Sequence, residues 1–235
     1  MRRDTFLKSL AALAAGGALP MSALAAANLK MMIPANPGGG WDGTGRALGK
    51  ALLEAKVAVT VTYENKGGAA GELGLAQFVN ASKGDPNAIM IMGAVMLGGI
   101  ITGKPPVSLS VATPLVRLTS EYNVFVLPTN SPFKSMKDVI EQLKKDGINI
   151  PTLKELGYNV EIGNWRGVYG APGITAAQRK ALTDMLLKAA KTKSWAADSE
   201  KNNWTAAVMS GKEFEDFVDN DFASLRATMV KAGMI

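Results

Sequence analysis

The sequence contains no cysteine and no histidine among its 235 residues. A protein without these two residue types has no disulfide, no thiolate nucleophile, no imidazole base and none of the nitrogen and sulfur ligands that usually bind zinc. An enzyme made from this chain would have to work with carboxylate, lysine, tyrosine or serine side chains alone. These absences exclude most hydrolase mechanisms, and we expect neither a metal site nor a catalytic residue.

Long apolar runs and clusters of basic and aromatic residues are also scarce. The most apolar segment, 88–101, predicts a buried strand followed by a loop, so we expect no transmembrane helix after the N-terminal region. No basic run is interleaved with aromatic residues, which argues against nucleic-acid binding. Hydrophobic residues make up 47% of the chain, as in ordinary globular proteins, and the formal charge of +6 suits a small anionic ligand.

The first 27 residues have the pattern of an export signal. Arg2 and Arg3 form a positive start, residues 6–19 form a short apolar core, and alanines near Ala25 provide a cleavage site. The sequence therefore predicts a periplasmic protein that does not span the membrane once the signal is removed. The arginine pair leaves both the general and the twin-arginine export route open.

The order of predicted strands and helices indicates an α/β domain. Strands at 29–33, 57–63 and 88–92 alternate with glycine turns and with helices at 43–55 and 72–81. This alternation favours a mainly parallel sheet, in which ligands bind at the carboxyl ends of the strands. Further strands are expected at 115–120, 122–126, 160–162 and 165–169, and further helices at 138–145, 175–191, 194–199 and 211–234, with Thr175 as an N-cap.

The glycine turn after the first strand is the most informative motif. Gly38, Gly39 and Gly40 follow the apolar run 29–33 and lead into a helix. Consecutive glycines let a ligand approach the main chain closely. The first amides of a helix lack partners and lie at the positive end of its dipole. The turn therefore predicts a seat for an anion, either a carboxylate or a phosphate.

Several stretches together resemble the substrate-binding proteins of tripartite tricarboxylate transporters. They are residues 37–46 and 64–71, the Ser-Pro-Phe-Lys-Ser segment 131–135, the Pro-Thr-Leu-Lys-Glu-Leu-Gly segment 151–157, and 163–168 with 171–173. The resemblance implies an α/β fold of the periplasmic binding protein type II-like class. It also implies a non-enzymatic receptor that captures a small carboxylate, has no cofactor and docks on the membrane subunits of a transporter.

The resemblance has one large gap. Family members carry a much longer segment between the helix near Lys145 and the motif that starts at Pro151, and that segment forms most of the second lobe. We therefore expect a largely complete first lobe from 28–122 and 160–235, and a truncated second lobe, or remnant, at 123–159. An internal deletion of this kind predicts weak or absent capture.

The candidate ligand-binding residues lie in the two glycine turns and near the C-terminal motif. Because its charge repels an anion, Asp42 is expected to cap the helix start instead of binding ligand. Arg166 suits bidentate recognition of a carboxylate, and a structural ion pair is an equal alternative. The full set is Gly38, Gly39, Gly40, Trp41, Asp42, Thr44, Gly67, Gly68, Ala69, Arg166 and Tyr169.

Two other functions remain open. Gly38, Gly40 and Gly43 match the G-x-G-x-x-G pattern of dinucleotide-binding oxidoreductases, and Glu64 lies where a ribose-binding acid would be expected. The export signal and the bulky Trp41 inside the turn argue against that interpretation. The second alternative is a non-binding remnant, a folded first lobe without a closing partner.

Overall fold

The computed structural model describes residues 27–122, 126–146 and 163–235. The expected export signal lies outside these residues except for its last position. The segment 151–157, the strand expected at 160–162 and most of the expected second-lobe remnant also lie outside them. Within the described part, no helix is long and apolar enough to cross a membrane.

A six-stranded mixed sheet forms the centre of the molecule. The strands are β1 (Ala27–Ile33), β2 (Ala58–Asn65), β3 (Ala88–Gly93), β4 (Thr113–Glu121), β5 (Asn164–Gly170) and β6 (Thr205–Ser210), and their spatial order is β2-β1-β3-β5-β4-β6. β1 pairs in parallel with β2 and β3, whereas β5 is antiparallel to both β3 and β4, and β6 is antiparallel to β4. The expected mainly parallel sheet is therefore correct for its first three strands only.

Seven helices surround this sheet in the described part of the chain. They are α1 (Gly40–Glu54), α2 (Glu72–Ala81), α3 (Ala94–Gly103), α4 (Met136–Lys145), α5 (Ala176–Ala189), α6 (Lys193–Lys201) and α7 (Gly211–Lys231). All of the expected helices are confirmed. The Thr175 hydroxyl accepts a hydrogen bond from the Gln178 amide at 3.2 Å, so its predicted role as the N-cap of α5 is also confirmed.

The buried strand expected at the start of 88–101 is confirmed as β3, but the loop expected after it is wrong, because residues 94–103 form helix α3. Its sequence is apolar almost throughout, so it lacks the amphipathic period that marks a surface helix. It packs against α7 and the short 3-10 turn 69–71, where a Cβ at Gly99 would lie only 2.6 Å from Ala70 Cβ. β6 was not predicted either, because it is a short edge strand with mostly exposed residues.

The core lies on both faces of the sheet. Every residue of β3 is buried, which requires covering layers above and below it. In one layer α1 contacts both α5 and α6, and in the other layer α3 contacts both α2 and α7. α4 differs from all of them because it has no buried residue.

Candidate functional site

A cleft of about 430 Å³ opens where several chain segments meet at one edge of the sheet. Its lining comes from the loops after β1 and β2, the first residues of α1 and α3, and the start of β5. β5 takes part because it runs antiparallel to β3, so that Arg166 near its beginning pairs with Gly93 at the end of β3. The cleft thus lies at the carboxyl ends of β1, β2 and β3, where the alternation of strands and helices predicted a ligand.

The N-terminus of α1 presents unpaired main-chain amides to this cleft. The first helical hydrogen bond runs from the Gly43 amide to the Gly39 carbonyl at 2.9 Å, and no side chain caps the helix. The amides of Gly40, Trp41 and Asp42 therefore have no acceptor among the described residues. Gly40 and Trp41 also line the cleft. The cleft wall thus includes two residues with free amides at the positive end of a 15-residue helix, the arrangement for which the glycine turn predicts an anion.

Asp42 braces the turn and is not part of the cleft lining. One carboxylate oxygen accepts the Gly38 amide at 2.9 Å, and the other accepts Asn65 Nδ2 at 2.9 Å and Arg46 Nε at 3.2 Å. Burial acts to raise the pKa of Asp42, but these hydrogen bonds and the charge of Arg46 outweigh it and hold the pKa below its usual value. Asp42 thus stabilises the turn that leads into α1, because it accepts a hydrogen bond from Gly38, the residue before the N-cap.

The lowered pKa of Asp42 makes its contribution to stability depend on pH. The contribution is fully present above the unfolded-state pKa of aspartate, about 3.9, and is lost as pH falls through the lower folded-state value. We expect Asp42→Asn to be less stable than the native protein at pH 7 and the difference to shrink below pH ~4. Urea unfolding from pH 7 down to pH 3 measures this, and a difference that stays constant would contradict it.

The second glycine turn adopts an unusual backbone conformation. Gly68, Ala69, Ala70 and Gly71 have consecutive positive φ angles of 121°, 47°, 52° and 98°. Two left-handed alanines cost free energy that only the surrounding structure offsets, and such strain concentrates at ligand-binding sites. Gly67, Gly68, Ala70 and Gly71 line the cleft, whereas Ala69 does not. Ala70 was missed by the sequence analysis because its methyl group carries no chemistry that a motif would mark.

The two glycine turns also pack closely against each other. A Cβ at Gly67 would lie 2.4 Å from Asn36 Oδ1, and one at Gly71 would lie 2.8 Å from the Trp41 ring. Trp41 is 9% exposed and forms part of both the core and the cleft wall. Glycine at these positions therefore fixes the distance between the two sides of the cleft.

Arg166 lies beneath the first turn, and its side chain is only 9% exposed. Its Nη1 donates to the Gly40 carbonyl at 3.0 Å and to Thr44 Oγ1 at 2.7 Å. Its Nη2 forms an ion pair with Glu121 at 2.5 Å, while its Nε has no hydrogen-bond partner among the described residues. The structural ion pair that the sequence left open is thus present, and the guanidinium still lines the cleft.

Thr44 has a different environment from the one expected. It is fully buried, and its hydroxyl donates to the Gly40 carbonyl at 3.0 Å while accepting from Arg166. The hydroxyl therefore has both its donor and its acceptor paired within the protein. Thr44 therefore supports Arg166 and does not line the cleft, whereas Gly40 and Trp41 do.

Glu121 and Asn164 are site residues that the sequence analysis missed. Asn164 lines the cleft and donates to the Glu121 carboxylate, while its own Oδ1 has no hydrogen-bond partner among the described residues. Glu121 ends β4 and Asn164 begins β5, so they meet only because these two strands pair. The only signal for Asn164 in the sequence was its place in the segment 163–168, which carries part of the family resemblance.

Tyr169 is placed away from the cleft. It follows Arg166 by three residues in β5, a separation of about 10 Å along a strand. It is 3% exposed and lines a separate cavity between α3 and α7. Burial, followed by the nearby charges of Asp219 and Glu215, raises the pKa of its phenol.

The structure does not assemble a dinucleotide site. Glu64 hydrogen-bonds with Gln77 and lines a cavity beside β1 and α2, outside the cleft. A dinucleotide-binding sheet is parallel through its centre, whereas β5 is antiparallel to both neighbours here. Among the described residues, no group of three acidic side chains is arranged to hold a metal ion.

Comparison with known proteins gives matches among solved structures. No protein-family model and no curated protein matches the chain. A TctC solute-binding protein from Polaromonas, determined without ligand, is 16% identical with a TM-score of 0.68, and the match covers 87% of this chain and 98% of that chain. The periplasmic binding protein BugD is 17% identical with a TM-score of 0.62, covering 88% and 98%. A protein from R. palustris determined with adipate is 14% identical with a TM-score of 0.69, covering 88% and 97%.

At these levels of sequence identity the likeness establishes the fold. The chain has the α/β fold of periplasmic solute-binding proteins, with the TctC and BugD proteins among its structural neighbours. The fold class that the resemblance implied, periplasmic binding protein type II-like, is thereby confirmed. The cleft that we describe lies on this fold at the edge formed by the two glycine turns.

Proposed function

We propose that the protein captures a small carboxylate outside the cytoplasm and delivers it to the membrane subunits of a tripartite tricarboxylate-type transporter, without acting on it chemically. The observation that carries this proposal is the pair of free amides at Gly40 and Trp41 in the cleft. A carboxylate seated there would accept both hydrogen bonds and lie at the positive end of α1. An adipate-bound neighbour with the same fold supports the ligand class.

The other walls of the cleft fit the remainder of such a ligand. Arg166 is the only ionisable residue in the described lining, and the part of its charge that the ion pair with Glu121 leaves uncompensated adds to the positive end of α1 in favouring an anion. Trp41, Val95 and Pro34 offer apolar surface for the carbon skeleton, and Asn36 and Asn164 offer carboxamides for a second polar group. A di- or tricarboxylate-like molecule matches this combination, with the first carboxylate on α1.

The lobe arrangement inferred from the sequence is part of the same proposal. Residues 28–122 and 160–235 form the first lobe, and 123–159 form the reduced second lobe. Closure of two lobes around a ligand is the usual hinge motion of such receptors. α4, the described helix of the reduced lobe, has no buried residue, which supports an impaired second lobe and weak capture.

Isothermal titration of the mature protein with adipate, malate and citrate tests the carboxylate seat, with NAD as a control ligand. We expect binding of at least one carboxylate, and a loss of affinity of about tenfold or more in Gly39→Val, because its side chain shields amides that donate to a charged acceptor. A Cβ at Gly39 would lie 3.3 Å from the Asn36 carbonyl oxygen and 4.0 Å from Ala35 Cβ, so the substitution needs a shift of a few tenths of an ångström in the exposed turn.

Gly43→Val is the matched control, because Gly43 is exposed on the same helix and a Cβ there would meet nothing within 4 Å. It should bind as the native protein does. Equal affinities of the two variants would refute the amide seat. Binding of NAD alone would favour the dinucleotide alternative, and a cooperatively folded protein that binds none of these ligands would be the non-binding remnant.

A further inference from the structure

A second cavity of about 400 Å³ lies between α3 and α7, apart from the cleft. Leu97 and Ile100 of α3 face Val218 and Phe222 of α7 across it, and Tyr169 contributes from β5. None of these residues lines the cleft. The volume is in the range of small-molecule sites, which are mostly apolar with a few polar groups.

The polar group deepest in this cavity is the Tyr169 phenol. The residue is 3% exposed and lines the cavity. Its ring is held edge-on by Phe214 with a centroid distance of 5.9 Å. A charged ligand in the cavity that donates a hydrogen bond to the Tyr169 hydroxyl oxygen would gain a charge-assisted contact beside apolar walls.

Two carboxylates stand beside this phenol, and only one of them is neutralised. Glu215 forms an ion pair with Arg179 of α5. Asp219, one turn further along α7, has no ion pair and no hydrogen bond within the described parts of the chain. Lys212 approaches the same region but is paired with Asp216 at 2.7 Å. The cavity mouth therefore carries an unbalanced negative charge next to apolar walls.

We propose that this cavity binds an organic ammonium ion with an apolar chain. The ammonium group donates hydrogen bonds to the Asp219 carboxylate and to the hydroxyl oxygen of Tyr169. The apolar chain lies among Leu97, Ile100 and Phe222, where it removes hydrocarbon surface from water. The same negative charge disfavours the carboxylates proposed for the cleft, so the two sites differ in ligand class.

The shape of the surface indicates the length of that chain. A neighbouring cavity of about 300 Å³ shares Ile100 and Phe222 with the first and is also lined by Lys104 and Arg226. The apolar surface therefore continues along the seam between α3 and α7 as far as these two cations, which set the far limit for an ammonium ligand. A chain of about six carbons buries several methylene groups, each of which should lower Kd by up to about fourfold, whereas methylammonium buries almost nothing. Affinity should therefore rise steeply with chain length.

The test is isothermal titration of the mature protein with n-hexylammonium, methylammonium and hexanoate, each as a simple salt. We expect hexylammonium to bind, with at least a tenfold lower Kd than either of the other two. Intermolecular NOEs from the hexyl chain to Phe222 and Leu97 protons would locate it in the cavity. Equal binding of hexylammonium and hexanoate would overturn the proposal, since the acidic mouth would then contribute nothing.

Conservative variants separate the two polar contacts. Asp219→Asn should weaken hexylammonium binding about tenfold because it removes the negative charge, and Tyr169→Phe should weaken it about fivefold because it removes the hydroxyl acceptor. Both substitutions nearly preserve the shape of the side chain. Glu213→Gln is the matched control: it loses the same charge from α7 at an exposed position and should not change affinity. Equal effects of Asp219→Asn and Glu213→Gln would overturn a specific contact. We also expect Gly39→Val to bind hexylammonium as the native protein does, which would show that this site is independent of the cleft.

Discussion

Gly93→Ala is expected to destabilise the protein by about 3 kcal/mol or more, one of the largest effects of any single methyl group here. A Cβ at this position would lie 2.1 Å from the carbonyl oxygen of Trp165. That oxygen is main chain on the neighbouring strand β5, and Gly93 itself pairs with Arg166 in the sheet. Because both atoms belong to hydrogen-bonded central strands, neither can move without separating β3 from β5.

Gly43→Ala is the control for this substitution. Gly43 lies inside α1, where a Cβ would meet nothing within 4 Å, so alanine should raise stability by about 0.5–1 kcal/mol. Urea unfolding at pH 7 of the two variants and the native protein compares these opposite signs. A Gly93→Ala variant as stable as Gly43→Ala would mean that β3 and β5 do not approach as closely as the structure shows.

The sequence was sufficient for features that depend on neighbouring residues. β-branched and apolar runs located β1 to β3, the glycine turns located two sides of the cleft, and Thr175 located the start of α5. In each case the information lies within a few residues of the feature. The same holds for the free amides at the start of α1, which follow from the position of the helix N-terminus alone; the anion seat that they suggest stays a prediction.

The failures concern contacts between distant parts of the chain. Arg166 donates to the Gly40 carbonyl across 126 positions, and no local pattern indicates that contact. Thr44 was expected to contact the ligand because it follows the glycines. Its hydroxyl instead accepts a hydrogen bond from the guanidinium of Arg166, which lies in β5. Tyr169 was expected near the cleft through its closeness to Arg166 in sequence, whereas an extended strand carries it to another cavity.

The direction of β5 was not predicted for the same reason, because it depends on distant parts of the chain. A strand predicted from composition has no direction, and only its partners decide whether it runs parallel or antiparallel. Here β5 returns between β3 and β4, which brings Asn164 and Arg166 to the edge where the other loops end. The cleft therefore depends on the one strand whose orientation the alternating pattern predicted incorrectly.

Substitutions of Arg166 and Glu121 should change ligand affinity in opposite directions. Arg166→Met removes the cation from the cleft, so we expect carboxylate affinity to fall about tenfold or more. Glu121→Gln leaves Arg166 with its charge and removes the carboxylate that competes for it, so affinity should rise. The ion-pair distance of 2.5 Å makes this competition direct. Isothermal titration with the carboxylate that the native protein binds best measures both changes.

The two substitutions should also differ in their effects on stability. Breaking a buried ion pair costs about 3–5 kcal/mol when the remaining charge stays buried. Glu121→Gln strands a guanidinium that is 9% exposed, whereas Arg166→Met strands a carboxylate that is 25% exposed and can regain water. We therefore expect the glutamate substitution to approach that range, and the arginine substitution to lose less from the stranded charge. Affinity changes of the same sign in the two folded variants would show that Arg166 acts only by supporting Gly40, and that the carboxylate is held by the helix amides alone.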